Sequence, residues 1–147
     1  CARVPACGED YMGRISGPLM DRFDLRVDVP PVRYSDLDLP ASGDTSAEIA
    51  ARVKAARDIQ IARFEGRADM RSNADAEGEI LKEIATPDAE GSALLSRVAE
   101  RFALSARGYH RVLRVARTIA DLDGSPEVCH RHVAEAVSYR VPQPSGT

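Results

Sequence analysis

LSARGYHRVLRVARTIADLDGS, residues 104–125, is the stretch on which the fold turns. Wound at 3.6 residues per turn, it puts Tyr109, Val112, Leu113, Ala116, Ile119 and Ala120 on one face. Arg107, Arg111, Arg114 and Thr118 fall on the opposite face. Ser105 has the side chain and the place of an N-cap, and Gly124 stands where a helix ends; the helix is expected to run to about Leu122. An apolar stripe this continuous has to be covered, and in a chain with 5% aromatic residues and no Trp the natural cover is more helices packed through aliphatic side chains.

The flanks supply them. On the C-terminal side, Pro126 or the residues after it open a last helix through Arg140, and the tail VPQPSGT (141–147) reads as disordered. On the N-terminal side, Thr86 and Pro87 form an N-cap and first-turn pair, since a missing N–H costs nothing there. Leu94, Leu95, Val98 and Phe102 then mark an apolar stripe. Residues 67–78 read as a polar loop and 79–85 as a short helix. Thr45 stands three residues before Glu48, the spacing of a capping box, and predicts a helix over 46–64 with Ile49, Val53, Ala56 and Phe64 on one side and Gly66 as its stop. Residues 30–45, PPVRYSDLDLPASGDT, have the composition of a linker. Before it, FDLRVDV (23–29) alternates apolar and charged residues as a strand does, closed by Pro30 and Pro31. The expected architecture is mainly α: a helical bundle over 45–147, preceded in 1–44 by a short β-containing segment.

At 147 residues, 44% hydrophobic and 29% charged, the chain is long enough for one core and a small appendage. A net charge of −3 gives no overall attraction to nucleic acid, so any such contact needs a local basic patch. Three cysteines are too few for a disulfide framework, which suits a reducing compartment, the cytoplasm by default. No leader-like segment follows Cys1, and a cut in a longer chain is the favoured reading of this start.

Two groups of residues could carry chemistry. Arg107, Arg111 and Arg114 lie about one turn apart, either as a solvated basic face or as a set of rigid forks suited to phosphate oxygens; periodicity alone does not choose. Asp121 is the one acid in the last turn that could partly neutralise that face. In GRISGPLMDRFDL (13–25), Gly and Pro break the chain just before Asp21 and Arg22. These are either an ion pair at a strand entrance or a functional arginine. Cys1 and Cys7 cannot complete a tetrahedral site, and of Cys129, His130 and His132 only positions 129 and 132 face alike on a helix. No metal site is assigned.

GRISGPLMDRFDL, LSARGYHRVLRVARTIADLDGS and HVAEAVSYR (132–140) together closely resemble the magnesium-chelatase-like AAA+ ATPases, nearest the bacterial ComM/YifB group. The likeness covers most of the chain in the same order; the linker and the loop at 65–78 match least. It implies the C-terminal end of such an ATPase: residues 1–44 complete the α/β core and 45–147 form its helical lid. In that family the arginine matching Arg22 is an arginine finger acting on the neighbouring subunit's nucleotide. The arginine matching Arg107 is sensor 2, which reads the γ-phosphate, with Arg111 and Arg114 able to share that contact. The chain contains no GxxxxGK[ST] loop, so alone it is not expected to hydrolyse ATP.

The implied cofactors are ATP and Mg²⁺ in the intact protein. The implied partners are the upstream AAA+ core, further copies in a hexameric ring, and DNA, with no membrane. DNA processing in recombination and competence, such as branch migration, is the leading function. A magnesium-chelatase motor subunit of tetrapyrrole synthesis and a free-standing helical module with a basic face are the alternatives. The apolar face of residues 23–29 would lack its sheet here, leaving it disordered, added to another chain or packed on the lid.

Overall fold

The computed structural model describes residues 13–36, 39 and 43–140. Its helices are α1 (Gly17–Met20), α2 (Ser46–Arg63), α3 (Gly78–Ala85), α4 (Ala89–Arg101), α5 (Ala106–Leu122) and α6 (His130–Ser138). Short 3-10 turns lie at Tyr34–Asp36 and Asn73–Asp75.

α5 is the hub. α2, α3 and α6 pack on it, and α4 packs on α6. Val112, Leu113, Ala116, Ile119 and Ala120 are buried, as the wheel requires, beside Leu81, Ala85, Leu95, Val128, Val133 and Ala136 from the surrounding elements. Burying each of the larger side chains contributes roughly 1.5–3 kcal/mol. The helix bounds follow local chemistry: Ser105 Oγ accepts from Gly108 N at 3.0 Å, and Thr45 and Glu48 close the predicted capping box, with Thr45 N donating to Glu48 Oε2 at 2.7 Å. Gly124, at φ +64°, ends α5, while the amide of Ser125 returns to Ala120 O at 2.8 Å.

Three expectations are corrected. Residues 23–29 form no strand: among the described residues they find no neighbouring strand to pair with, and Phe23, Leu25, Val27 and Val29 stay exposed. Thr86 does not cap α4 but ends α3, its Oγ1 donating to Lys82 O, so Pro87 lies before the helix. The cap is Asp88, whose Oδ1 accepts from Gly91 N at 2.7 Å. Pro87 instead meets Val128 in a parallel bridge, with Asp88 N donating to Val128 O at 2.9 Å. α6 starts at His130, just after that bridge, among the residues following Pro126 that are expected to open it. Finally, the stripe on α2 is half used: Ala56 and Phe64 are buried, whereas Ile49 and Val53 remain 46% and 47% exposed because α2 reaches α5 only with its C-terminal half. The tail at 141–147 lies outside the described residues.

Candidate functional site

The first turns of α5 present Arg107, His110, Arg111 and Arg114 to a polar cleft of about 440 Å³, closed on the far side by Glu77 and Gly78 at the start of α3. The arginines are not equivalent. Arg114 donates Nε to Ala76 O at 2.9 Å and pairs with Glu77 Oε1 at 3.3 Å. Arg111 pairs with Asp24 Oδ1 at 2.9 Å and donates to the backbone carbonyl of Arg22. Arg107 is exposed and has no acidic or hydrogen-bonding partner among the described residues. The acids that balance this face are therefore Asp24 and Glu77. Asp121, expected to help neutralise it, points instead into the core.

Residues 13–29 lie on this end of the bundle. Ser16 caps the single turn of α1, and Asp21 and Arg22 follow it. Asp21 accepts from Ser105 Oγ at 3.0 Å and pairs with Arg140, the last described residue. Arg140 also donates to the carbonyls of Phe23 at 2.9 Å and Asp21 at 3.3 Å, and Arg26 N donates to Tyr139 O at 2.8 Å. The ion pair considered for Asp21 thus forms with Arg140 and not with its neighbour. The Arg22 side chain is exposed and has no partner among the described residues.

A buried ionic cluster escaped the sequence reading. Asp121, 2% exposed, accepts from Arg63 Nη2 at 2.5 Å, from Asn73 Nδ2 at 2.7 Å and from Arg117 Nε at 3.1 Å. Arg117, also 2% exposed, donates onward to Ser125 O at 2.6 Å and Pro126 O at 2.9 Å. Burial pushes the Asp121 carboxyl up, but the hydrogen bonds from Arg63 and Asn73 and the two guanidinium charges outweigh it and hold the group below its ordinary value. Burial pulls the Arg117 guanidinium down, and Asp121 opposes that shift. The available signal was an Arg and an Asp four residues apart on the apolar face of α5, where unpaired charges are not tolerated. The cluster is a structural rivet joining α2, the 3-10 turn at 73–75, α5 and the 125–126 loop.

Cys129 and His132 do meet, as a helix cap: His132 Nδ1 accepts from Cys129 N at 2.9 Å. Its Nε2 lies 3.2 Å from Asp123 Oδ2 and 3.1 Å from Arg131 Nε. Both ring nitrogens are thereby occupied by partners within the chain. Cys1 and Cys7 lie outside the described residues.

Residues 43–140 match the family described as magnesium chelatase, subunit ChlI C-terminal, and residues 1–37 match magnesium chelatase, subunit ChlI. The chain is 37% identical over 131 residues to the competence protein ComM of Haemophilus influenzae, covering 88% of the chain and 25% of that protein. It is 37% identical over 133 residues to YifB of Escherichia coli, with 88% and 25% covered. A Mycobacterium bovis protein is 34% identical over 140 residues, with 95% and 27% covered. The chain thus spans about a quarter of the length of the curated relatives it matches.

Proposed function

The chain belongs to the magnesium chelatase subunit ChlI family, being related to ComM and YifB, and on that premise we propose that it is the finger-and-lid end of an AAA+ ATPase. In this reading residues 1–44 complete the nucleotide-binding core and 45–147 form the lid. One observation carries the assignment of roles. Arg22 and Arg107, the two arginines singled out by motif, are exposed and without partners among the described residues, whereas Arg111 and Arg114 are each engaged by an acid.

Arg107 stands at the mouth of the α5 cleft with all five guanidinium donors available, the equipment for holding a terminal phosphate. Arg111 and Arg114 set the positive field behind it. Arg22, presented from the turn after α1, is available to a nucleotide on an adjoining copy, where a guanidinium stabilises the charge gathering on the transferred phosphoryl oxygens. ATP supplies the phosphoryl group, and Mg²⁺ neutralises its charge when bound. Among the described residues no three His, Cys, Asp or Glu side chains are grouped to hold a metal ion. In this reading the Mg²⁺ ligands lie in an upstream core, which is the first partner; further copies in a hexameric ring are the second.

The relation to a protein named for competence supports a role in competence, and the reading takes that role to be DNA processing in recombination, with the cytoplasm as its compartment. No helix among the described residues is long and apolar enough to cross a membrane. The name of the family, magnesium chelatase, favours a second reading, a motor for magnesium insertion into a tetrapyrrole. A free-standing basic binding module fits less well, since Asp24 and Glu77 already neutralise much of that face.

The test is ATP turnover of the intact protein carrying Arg22→Ala or Arg107→Ala, with nucleotide binding checked in each. The expected result for Arg22→Ala is retained binding and turnover reduced on the order of 10³-fold. Stimulation of the wild type by branched DNA separates the leading reading from the tetrapyrrole motor. Normal turnover in both variants would remove the active-site roles.

A further inference from the structure

Three successive carbonyls, those of Asp21, Arg22 and Phe23, all accept hydrogen bonds from arginines of the helical bundle. Arg140 takes the first and third and Arg111 the second. Arg140 is only 7% exposed, and its third side-chain contact is the Asp21 carboxylate. Asp21 is in turn fixed by Ser105, the N-cap of α5. The backbone on both sides of Arg22 is therefore pinned, while the Arg22 side chain is left exposed.

A second observation, independent of those bonds, concerns Gly108. A Cβ placed there would stand 3.0 Å from Arg140 Nη2, 3.2 Å from Nε and 3.4 Å from Cζ. Gly108 is buried in the first turn of α5, where alanine would favour the helix more. The missing side chain is the passage through which the guanidinium of Arg140 reaches the turn after α1.

We infer that Arg140 is a positioning residue that fastens the Arg22 turn to the helical bundle, so that Arg22 moves with the lid as one body. The inference rests on the finger reading of Arg22. Its consequence is a direct coupling between two nucleotide sites. A shift of α5 caused by a phosphate at Arg107 is carried through Ser105, Arg111 and Arg140 to the arginine offered to the next subunit. No flexible joint separates the residue that senses one nucleotide from the residue that acts on another. Arg111 contributes as a clamp on the Arg22 carbonyl, and that reassigns it from the phosphate-binding role it was offered with Arg114.

The test uses the intact ATPase with Arg140→Gln, Arg140→Lys, Gly108→Ala and, as reference, Arg22→Ala. Amide hydrogen exchange is read over residues 17–26 alongside ATP turnover and KM. The expected result for Arg140→Gln and Gly108→Ala is exchange at Arg22–Arg26 raised by roughly tenfold or more, with protection in α4 and α5 kept. Turnover should fall toward that of Arg22→Ala while KM for ATP is unchanged, with partial recovery in Arg140→Lys. Gly108→Ala keeps every charge and raises helix propensity, so it answers even if Arg140→Gln misfolds. Arg22→Ala slow but Arg140→Gln and Gly108→Ala at wild-type turnover overturns the positioning role. Arg22→Ala at wild-type turnover overturns the finger reading itself. Unchanged exchange over 17–26 in the Arg140 and Gly108 variants overturns the clamp.

Discussion

Asp121 is one carboxylate shared by Arg63, Asn73 and Arg117, and it sits where no water can replace a lost partner. Asp121→Asn keeps the shape but removes the charge, leaving two guanidiniums facing each other in the core. The expected loss is about 3 kcal/mol at neutral pH, measured by urea unfolding, as is usual when one partner of a buried pair is removed. Because its folded-state pKa is held below the ordinary value, the wild-type contribution is complete above that ordinary value and is lost as pH falls through the folded one. The gap between wild type and Asp121→Asn should therefore close as the pH falls below the ordinary carboxylate range, and a gap independent of pH would mean the charge is not what matters. At this scale the sequence was legible where a residue acts alone on its own backbone, as Ser105 does. It was not legible where a residue's meaning depends on a distant partner. Arg63 and Asp121 are 58 positions apart, and no local pattern announces that they meet.

Helix ends and helix crossings raise their own expectations. Ala103, in the turn between α4 and α5, has φ +46°, a left-handed backbone that glycine adopts without the strain that a Cβ brings. Ala103→Gly should stabilise the chain by about 1 kcal/mol, read as a rise in Tm. The opposite holds at Gly91 in α4. A Cβ there would come within 2.9 Å of Asp88 Oδ1 and 3.2 Å of Val133 Cγ2, forcing α4 away from α6, so Gly91→Ala should cost about 1–3 kcal/mol despite its better helix propensity. α5 and the start of α2 were readable because a capping hydroxyl and a 3.6-residue period agree. Thr86–Pro87 misled because Pro87 had a competing use, the bridge to Val128. The alternation in 23–29 misled for a related reason: period two describes a strand only when another strand is present to pair with. The packing of that segment on Tyr139 and Arg140 depends on long-range contacts that periodicity does not encode.

For the molecule as a whole, the core gathers around α5 and leaves one region outside it. Residues 46–55 of α2 are exposed throughout, while Ala56, Gln60 and Phe64 are buried. Amide exchange should divide α2 in two, fast over 46–55 and slow over 56–63, with the slow half opening together with α5. Uniform protection along α2 would show that its first half is covered as well. The motifs that suggested the family lie in α5, α6 and the turn after α1, and these are the parts that meet at Arg140. The arrangement of α2 has mechanical meaning. Ten residues at 1.5 Å of rise make a stiff arm of about 15 Å that stands clear of the body. Its fulcrum is the Arg63–Asp121 pair. A rotation of α5 would be carried through the buried half of α2 to its exposed end, so the neighbourhood of Thr45 is where such a movement would be read out.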